Sequence, residues 1–166
     1  MLIVGLALTA CDSSDSSTAK VTTSVPLTPL DQSVTVADKD GVSAKYTLNT
    51  YRLTPDMTGL GHKIVLDVTV TDTSSAPFEY DEDNFVWTYP PCGPIKAGDL
   101  LPLLGGAMLN ENYTSFMPPQ PLRIGTLQPG ESANGLVIMQ AGGQGPYCLY
   151  IDLDNHFSTP WELPQQ

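Results

Sequence analysis

Between Lys63 and Asp72 the chain alternates. Ile64, Leu66, Val68 and Val70 are apolar, and Lys63, Asp67, Thr69 and Thr71 are polar. A period of two puts the two sets on opposite faces of an extended backbone, the pattern of a strand in an antiparallel sheet with one wet face. Shorter stretches repeat it. Val34 and Val36 alternate with polar neighbours, and Tyr46 and Leu48 share a face within 44–53. Phe85, Trp87 and Tyr89 share one within 84–89. Further strands are expected over 121–126 and 133–140, and over 147–153 with Tyr147, Leu149, Ile151 and Leu153 inward. Turn residues separate them. Asp38-Lys39-Asp40-Gly41 ends with a glycine, and Pro129-Gly130 has the order of a type II turn.

Composition closes off the alternative of long helices. Fifteen prolines and fourteen glycines, with 15% charged residues, break a chain into short elements, because both are poor in helix interiors. Seven to eight strands at intervals of roughly 8–12 residues predict an all-β fold, an antiparallel β-sandwich. One such domain is expected over residues 33–163. The Cys…Trp…Cys order of antibody domains is absent, since Trp87 precedes both Cys92 and Cys148.

The N-terminal stretch has a different character. Met1 to Ala7 is almost wholly apolar, runs into Leu8-Thr9-Ala10-Cys11, and meets the polar run Asp12-Ser13-Ser14-Asp15-Ser16-Ser17. This resembles the lipobox of bacterial lipoproteins. The resemblance implies a signal peptide over 1–10, its basic n-region missing because no Lys or Arg precedes Lys20. It also implies lipidation of Cys11 and attachment to the cell membrane on the extracytoplasmic side. The apolar stretch is too short to span a bilayer, which takes about 20 residues. Residues 11–32 read as a flexible Ser/Thr/Pro tether, whose root-mean-square reach is some 25 Å for about 20 residues.

The formal net charge is −11. A chain of that sign is repelled by nucleic-acid phosphates, so no nucleic-acid partner is expected. It is also repelled by anionic lipid, so contact with the membrane has to come through the anchor.

Two segments carry a further resemblance. Val65-Leu66-Asp67-Val68-Thr69-Val70-Thr71-Asp72-Thr73-Ser74-Ser75-Ala76-Pro77 is similar to the strand-then-turn hallmark of a telokin-like family of Ig-like domains, with Asp72 where that family usually has Asn. Leu127-Gln128-Pro129-Gly130-Glu131, leading into Ser132–Ile138, resembles its second hallmark. The family (DUF4352, the mycobacterial immunoprotective secreted antigen-like group) consists of secreted and lipid-anchored bacterial proteins. It implies an Ig-like sandwich over about residues 33–153 and an exported location. It implies no activity and assigns no site residue.

With Cys11 given to lipid, Cys92 and Cys148 remain as an even pair in an exported protein, where disulfides persist. A bond between them would close a loop of about 57 residues, worth around 4 kcal/mol on the chain-entropy model. It would pin Pro90-Pro91-Cys92-Gly93-Pro94 over the outer face of the sheet, because Cys148 points away from Tyr147 and Leu149. Two free thiols, or a metal pair with a histidine, are the alternatives. The wide spacing disfavours zinc.

Candidate chemistry is sparse, and no cofactor is expected. His62 and His156, with Met57, Met108, Met117 and Met139, offer the soft ligands of a copper site, but no His-x-Met or Met-x-x-Met pair occurs. Glu79-Tyr80-Asp81-Glu82-Asp83 and Asp38-Lys39-Asp40-Gly41 offer oxygens to Ca²⁺ without the spacing of a twelve-residue loop. No Gly-x-Ser-x-Gly accompanies the two histidines, so nucleophilic catalysis is not expected. Paired carboxylates depend on spatial separation, which sequence does not give.

The segment Leu100-Leu101-Pro102-Leu103-Leu104-Gly105-Gly106 is apolar without a period and lies inside a long connection. Such a loop either folds back to cap the sandwich or stays on the surface as a binding site. In the second case Leu100, Leu101, Leu103, Leu104, Tyr113 and Phe116 make the contacts. The expected function is that of a lipid-anchored binding or scaffold module, not an enzyme. Its partner would be an envelope protein or a small apolar ligand. The rival is an envelope copper-binding protein using His62, His156 and methionines.

Overall fold

A computed structural model describes residues 27–55, 62–95, 105–106, 120–143 and 145–165. Cys11, the leader and most of the tether lie outside them, as do the loop residues 100–104, 113 and 116 and Met57, Met108 and Met117.

Sheet I runs in the order β1 (Ser33–Ala37), β2 (Ser43–Pro55), β3 (His62–Asp72) and β8 (Ser132–Ala141), all antiparallel. Sheet II places β6 (Gly105–Gly106) beside β5 (Phe85–Thr88) and β5 beside β9 (Tyr147–Leu153). The far edge of β9 is shared by β10 (His156–Phe157) and β11 (Trp161–Leu163), which together form one interrupted strand. A ribbon of β4 (Phe78–Tyr80) and β7 (Gly125–Leu127) lies apart from both sheets. The fold is the antiparallel β-sandwich that the alternation predicts.

The core follows from that alternation. Ile64, Leu66, Val68 and Val70 of β3 face inward and are buried against Tyr147, Leu149, Ile151 and Leu153 of β9 in one cluster with Phe85 and Trp87. Tyr46 meets Phe78 and Phe85 edge-on, at centroid separations of 6.4 and 5.7 Å. Burial pushes its phenol above the ordinary tyrosine range.

In β2 the register against β3 shifts between Leu48 and Thr50. One residue is thereby inserted, and Tyr51 and Leu53 reach the same core as Tyr46 and Leu48 despite the odd spacing. The outer face of sheet I is drier than expected. Val65, Leu136 and Ile138 form a second buried cluster there.

Three sequence expectations change. The strand expected over 121–126 is confined to β7, and residue 121 makes only an isolated parallel bridge to Leu136. The reason lies at Gly135, where a Cβ would stand 2.5 Å from Leu122 N and 2.9 Å from Gln120 O. The chain crosses β8 too closely there to run as a strand of its own. Tyr89 follows β5 instead of continuing it, and is 43% exposed. Residues 27–32, assigned to the tether, are held on the sandwich. Thr28 bridges Trp161 in parallel, its N–H donating to Pro160 O at 2.8 Å. The Trp161 indole N–H donates to Gln32 O at 3.1 Å.

Candidate functional site

The two long sides of the sandwich are built differently. On one, β6 of sheet II lies against β8 of sheet I. Residues 120–122 cross the β8 edge there, with Leu136 N–H donating to Gln120 O and Leu122 N–H to Leu136 O, both at 2.9 Å. Leu122 enters the core and is 1% exposed. On the other side the free edges of β1 and β10 face a groove of about 620 Å³. Val34, Val36 and Phe157 line it, and Leu27, 42% exposed, lies at its margin.

At the end of the sandwich near Asp72 the two acidic runs meet. Asp38, Glu79, Asp81 and Asp154 all line a second concavity of about 440 Å³. Three of these carboxylates, Asp81, Asp38 and Asp154, have local structural work. Asp81 accepts from Asn84 N–H at 3.1 Å while Asn84 Oδ1 accepts from Asp81 N–H, a capping box on the 3-10 turn Glu82–Asn84. Asp38 accepts from the N–H groups of Asp40 and Val42. Asp154 pairs with Lys39 at 3.1 Å across exposed surface, and that contact raises the lysine's pKa. Nearby, partial burial pushes the Asp152 carboxyl up, against the opposing hydrogen bond from Asn155 N–H. Among the described residues no three of His, Cys, Asp and Glu group as metal ligands.

The outer face of sheet II carries the disulfide. Cys92 is bonded to Cys148, and the loop after Pro91 lies over the strands. Tyr150 fastens the same loop from the same face, donating to Gly93 O at 2.8 Å and accepting from Gly93 N–H at 3.1 Å. Val86, Cys148 and Tyr150 are buried there beneath Cys92 and Ile95.

The end of the sandwich opposite Asp72 is aromatic. Trp87 meets Tyr89 and Tyr147 edge-on at 5.2 and 5.1 Å. Burial raises the Tyr147 phenol, and its hydroxyl donates to Gly143 O. The described residues give the copper reading no support, with Met57, Met108 and Met117 outside them. His62 opens β3 opposite Ala141, at this end. His156 lies beyond Leu153, beside the groove and near the Asp72 end. Met139 is wholly buried in the core.

The two family-like segments form one structural unit. Asp72 N–H donates to Glu131 O at 2.9 Å, and Gly130 N–H donates to Asp72 O at 3.1 Å. Gly130 has φ +83°, with Glu131 N–H bonded to Gln128 O, as a type II turn requires. Asp72 Oδ1 accepts from both the N–H and the hydroxyl of Ser74 at 2.8 Å. These hallmarks join two strand ends and form no reactive centre.

No protein-family model matches the chain, and no curated protein matches it. Solved structures do. The secreted protein MPT63 of Mycobacterium tuberculosis aligns at a TM-score of 0.58 and 14% identity, over 82% of this chain and 96% of that one. A candidate lipoprotein of Bacillus subtilis, ycdA, aligns at 0.54 and 15% identity over 80% of this chain, which spans 38% of ycdA. The yjhA protein of Bacillus subtilis aligns at 0.51 and 12% identity, over 80% of this chain and 96% of that one. Likeness at such identities establishes a shared fold, in agreement with the family resemblance. The narrower assignment to DUF4352 has no family-model support.

Proposed function

We propose that this chain is an extracytoplasmic, lipid-anchored Ig-like binding or scaffold module without catalytic activity, attached through Cys11. The observation that carries the reading is the mounting of the 90–121 connection. One end is fastened by the Cys92–Cys148 bond and the other by Leu122 in the core. Tyr89 and Ile124, 43% and 71% exposed, are the most exposed large apolar side chains among the described residues, and they bracket those fasteners. A connection tied down at both ends and bordered by exposed apolar groups suits a surface that presents itself to an envelope protein or a small apolar ligand. A disulfide suits an oxidising compartment. A secreted protein and a candidate lipoprotein of the same fold are in keeping with that location. Asp81 caps the 3-10 turn and Asp38 holds the turn into β2, which favours a structural over a catalytic role for these two carboxylates.

Labelled-palmitate incorporation tests the anchor. Label is expected on the wild type and absent from Cys11→Ala, and label on neither sinks this part of the reading. A photo-crosslinker at position 124 tests the binding surface in cells. Recovery of no species above background would remove the support for binding there.

A further inference from the structure

We propose that Asn134–Gly135 in β8 is a latent self-modification site, kept unreactive by the ladder and the crossing segment and converted to isoaspartate when β8 opens. It is the sole Asn-Gly step in the sequence. Glycine stands there by necessity, since a Cβ at 135 would collide with the backbone of Leu122 and Gln120. The same missing Cβ leaves the Gly135 nitrogen unhindered as a nucleophile. Asn134 is exposed on the outer face of sheet I, opposite Thr69, so water and base reach its side-chain amide.

The reaction needs only base and water. Base takes the Gly135 amide proton, the nitrogen attacks Asn134 Cγ, and an N–Cγ bond forms. The Cγ–Nδ2 bond breaks, ammonia leaves, and a five-membered imide remains. Water then opens the imide at either carbonyl. One opening gives aspartate. The other gives isoaspartate, whose backbone runs through the former side chain and is one methylene longer.

The fold holds these steps off. Leu136 turns its N–H and C=O away from β3, to Gln120 O and Leu122 N–H. Hydrogen-bonded and open pairs alternate along an antiparallel ladder, so Gly135 N–H donates to Val68 O across from it. The bond from Asp72 N–H to Glu131 O, at an even spacing along the same ladder, has the matching phase. The nucleophilic nitrogen is therefore engaged as a donor. Ring closure also requires the Asn134 backbone to leave the extended range of a strand. Val68 at one side of β8 and the crossing segment at the other resist that rotation. The isoaspartate product does not fit back. Its added methylene takes Gly135 out of register with Val68 and Leu136 away from Gln120 and Leu122. Opening followed by reaction is then irreversible.

The test incubates the full chain carrying Cys11→Ser at mildly alkaline pH, folded and in urea, with the disulfide intact in both. Peptide mapping by mass spectrometry, with isoaspartate methyltransferase labelling, follows residue 134. Conversion in the folded chain should be at least about tenfold slower than in urea, because reaction waits on opening. Leu122→Ala loosens the crossing segment and should raise the folded-state rate at least about threefold. If that variant folds poorly, the wild-type comparison stands on its own. After refolding, the isoaspartate chain should lose amide protection at Gly135 and Leu136, and Asn134→Asp should keep it. Equal rates folded and in urea, or no conversion in urea, would overturn the proposal. So would a folded Leu122→Ala chain that reacts at the wild-type rate, or an isoaspartate chain with wild-type protection. None of these outcomes bears on the lipid anchor or the binding surface.

Discussion

The side of the sandwich at β8 and the side at β1 pose the same problem and receive opposite treatment. Each ends sheet I with a strand whose outer backbone groups need partners. At β8 a crossing segment supplies them at one residue, where Leu136 N–H donates to Gln120 O and Leu122 N–H to Leu136 O, and Leu122 joins the core. At β1 nothing described supplies them, and the gap remains a groove of about 620 Å³. The lesson concerns where a β-sandwich spends its sequence. A guarded edge demands a glycine for close approach, a buried leucine and a fastened loop. An open edge demands only small uncharged residues, and it retains the capacity to pair.

The contrast is broken most severely by unfastening the guarded side. Reduction, or the double variant Cys92→Ala/Cys148→Ala, frees the start of the crossing connection and removes a closure spanning a sequence separation of 56. A loss of about 4 kcal/mol is expected on the chain-entropy model, read as a lower urea midpoint. A loss under about 1 kcal/mol would mean that Tyr150 and its two bonds to Gly93 already hold the loop. Gly135→Ala attacks the other fastener. Its Cβ would meet Leu122 Cα at 2.6 Å, and the obstructing atoms are backbone of the crossing segment, which no side-chain rotation can clear. About 3 kcal/mol is expected from the forced shift, with enhanced amide exchange at Leu122 and Leu136. Wild-type stability in this variant would show that residues 120–122 can lift off β8 at little cost.

Much of this was legible beforehand. The inward sets of β3 and β9 follow from period two alone, as does the outward direction of Cys148. What escaped has identifiable causes. The bulge in β2 is visible as a three-residue step from Leu48 to Tyr51 in an otherwise even pattern, a signal easily taken for the strand's end. The β9–β10 hairpin turns on Asp154 and Asn155, with φ of +52° and +67°. Those residue types favour that conformation, but β10 is only two residues long, too short for alternation to mark it. Gly135 was a usable clue, because a lone glycine inside a strand marks a close approach. The state of the β1 edge was not legible at all. Alternation reads the same in a central strand and an edge strand, and only the strand order tells them apart.

Asp72 sharpens the comparison from the guarded side, since it anchors the turn that leads into β8. Its side chain is 1% exposed, and Oδ2 is buried without a hydrogen-bond partner. Asp72→Asn keeps the oxygen that accepts from Ser74 and replaces Oδ2 by a neutral NH2, which brings two donors but no charge to desolvate. A gain of about 1 kcal/mol is expected, measured by urea unfolding at neutral pH. A loss of similar size would show that Oδ2 meets a donor in solution and that asparagine cannot replace it.

The smallest effect belongs to the open side, and it is informative because it is small. Thr35 and Val36 are neighbours on a short strand, yet they differ in which way their amides point. Proline at 35 removes an N–H aimed at the groove and should cost no more than about 0.5 kcal/mol, the ordinary range for a surface substitution. Proline at 36 removes an N–H aimed at Ala44, leaves a carbonyl without its donor, and replaces a buried valine. Its cost should be several-fold larger. Unfolding both variants tests the phase of the ladder directly. Equal costs at the two positions would mean that the amide of Thr35 is already engaged within one chain. The β1 side would then be as guarded as the β8 side.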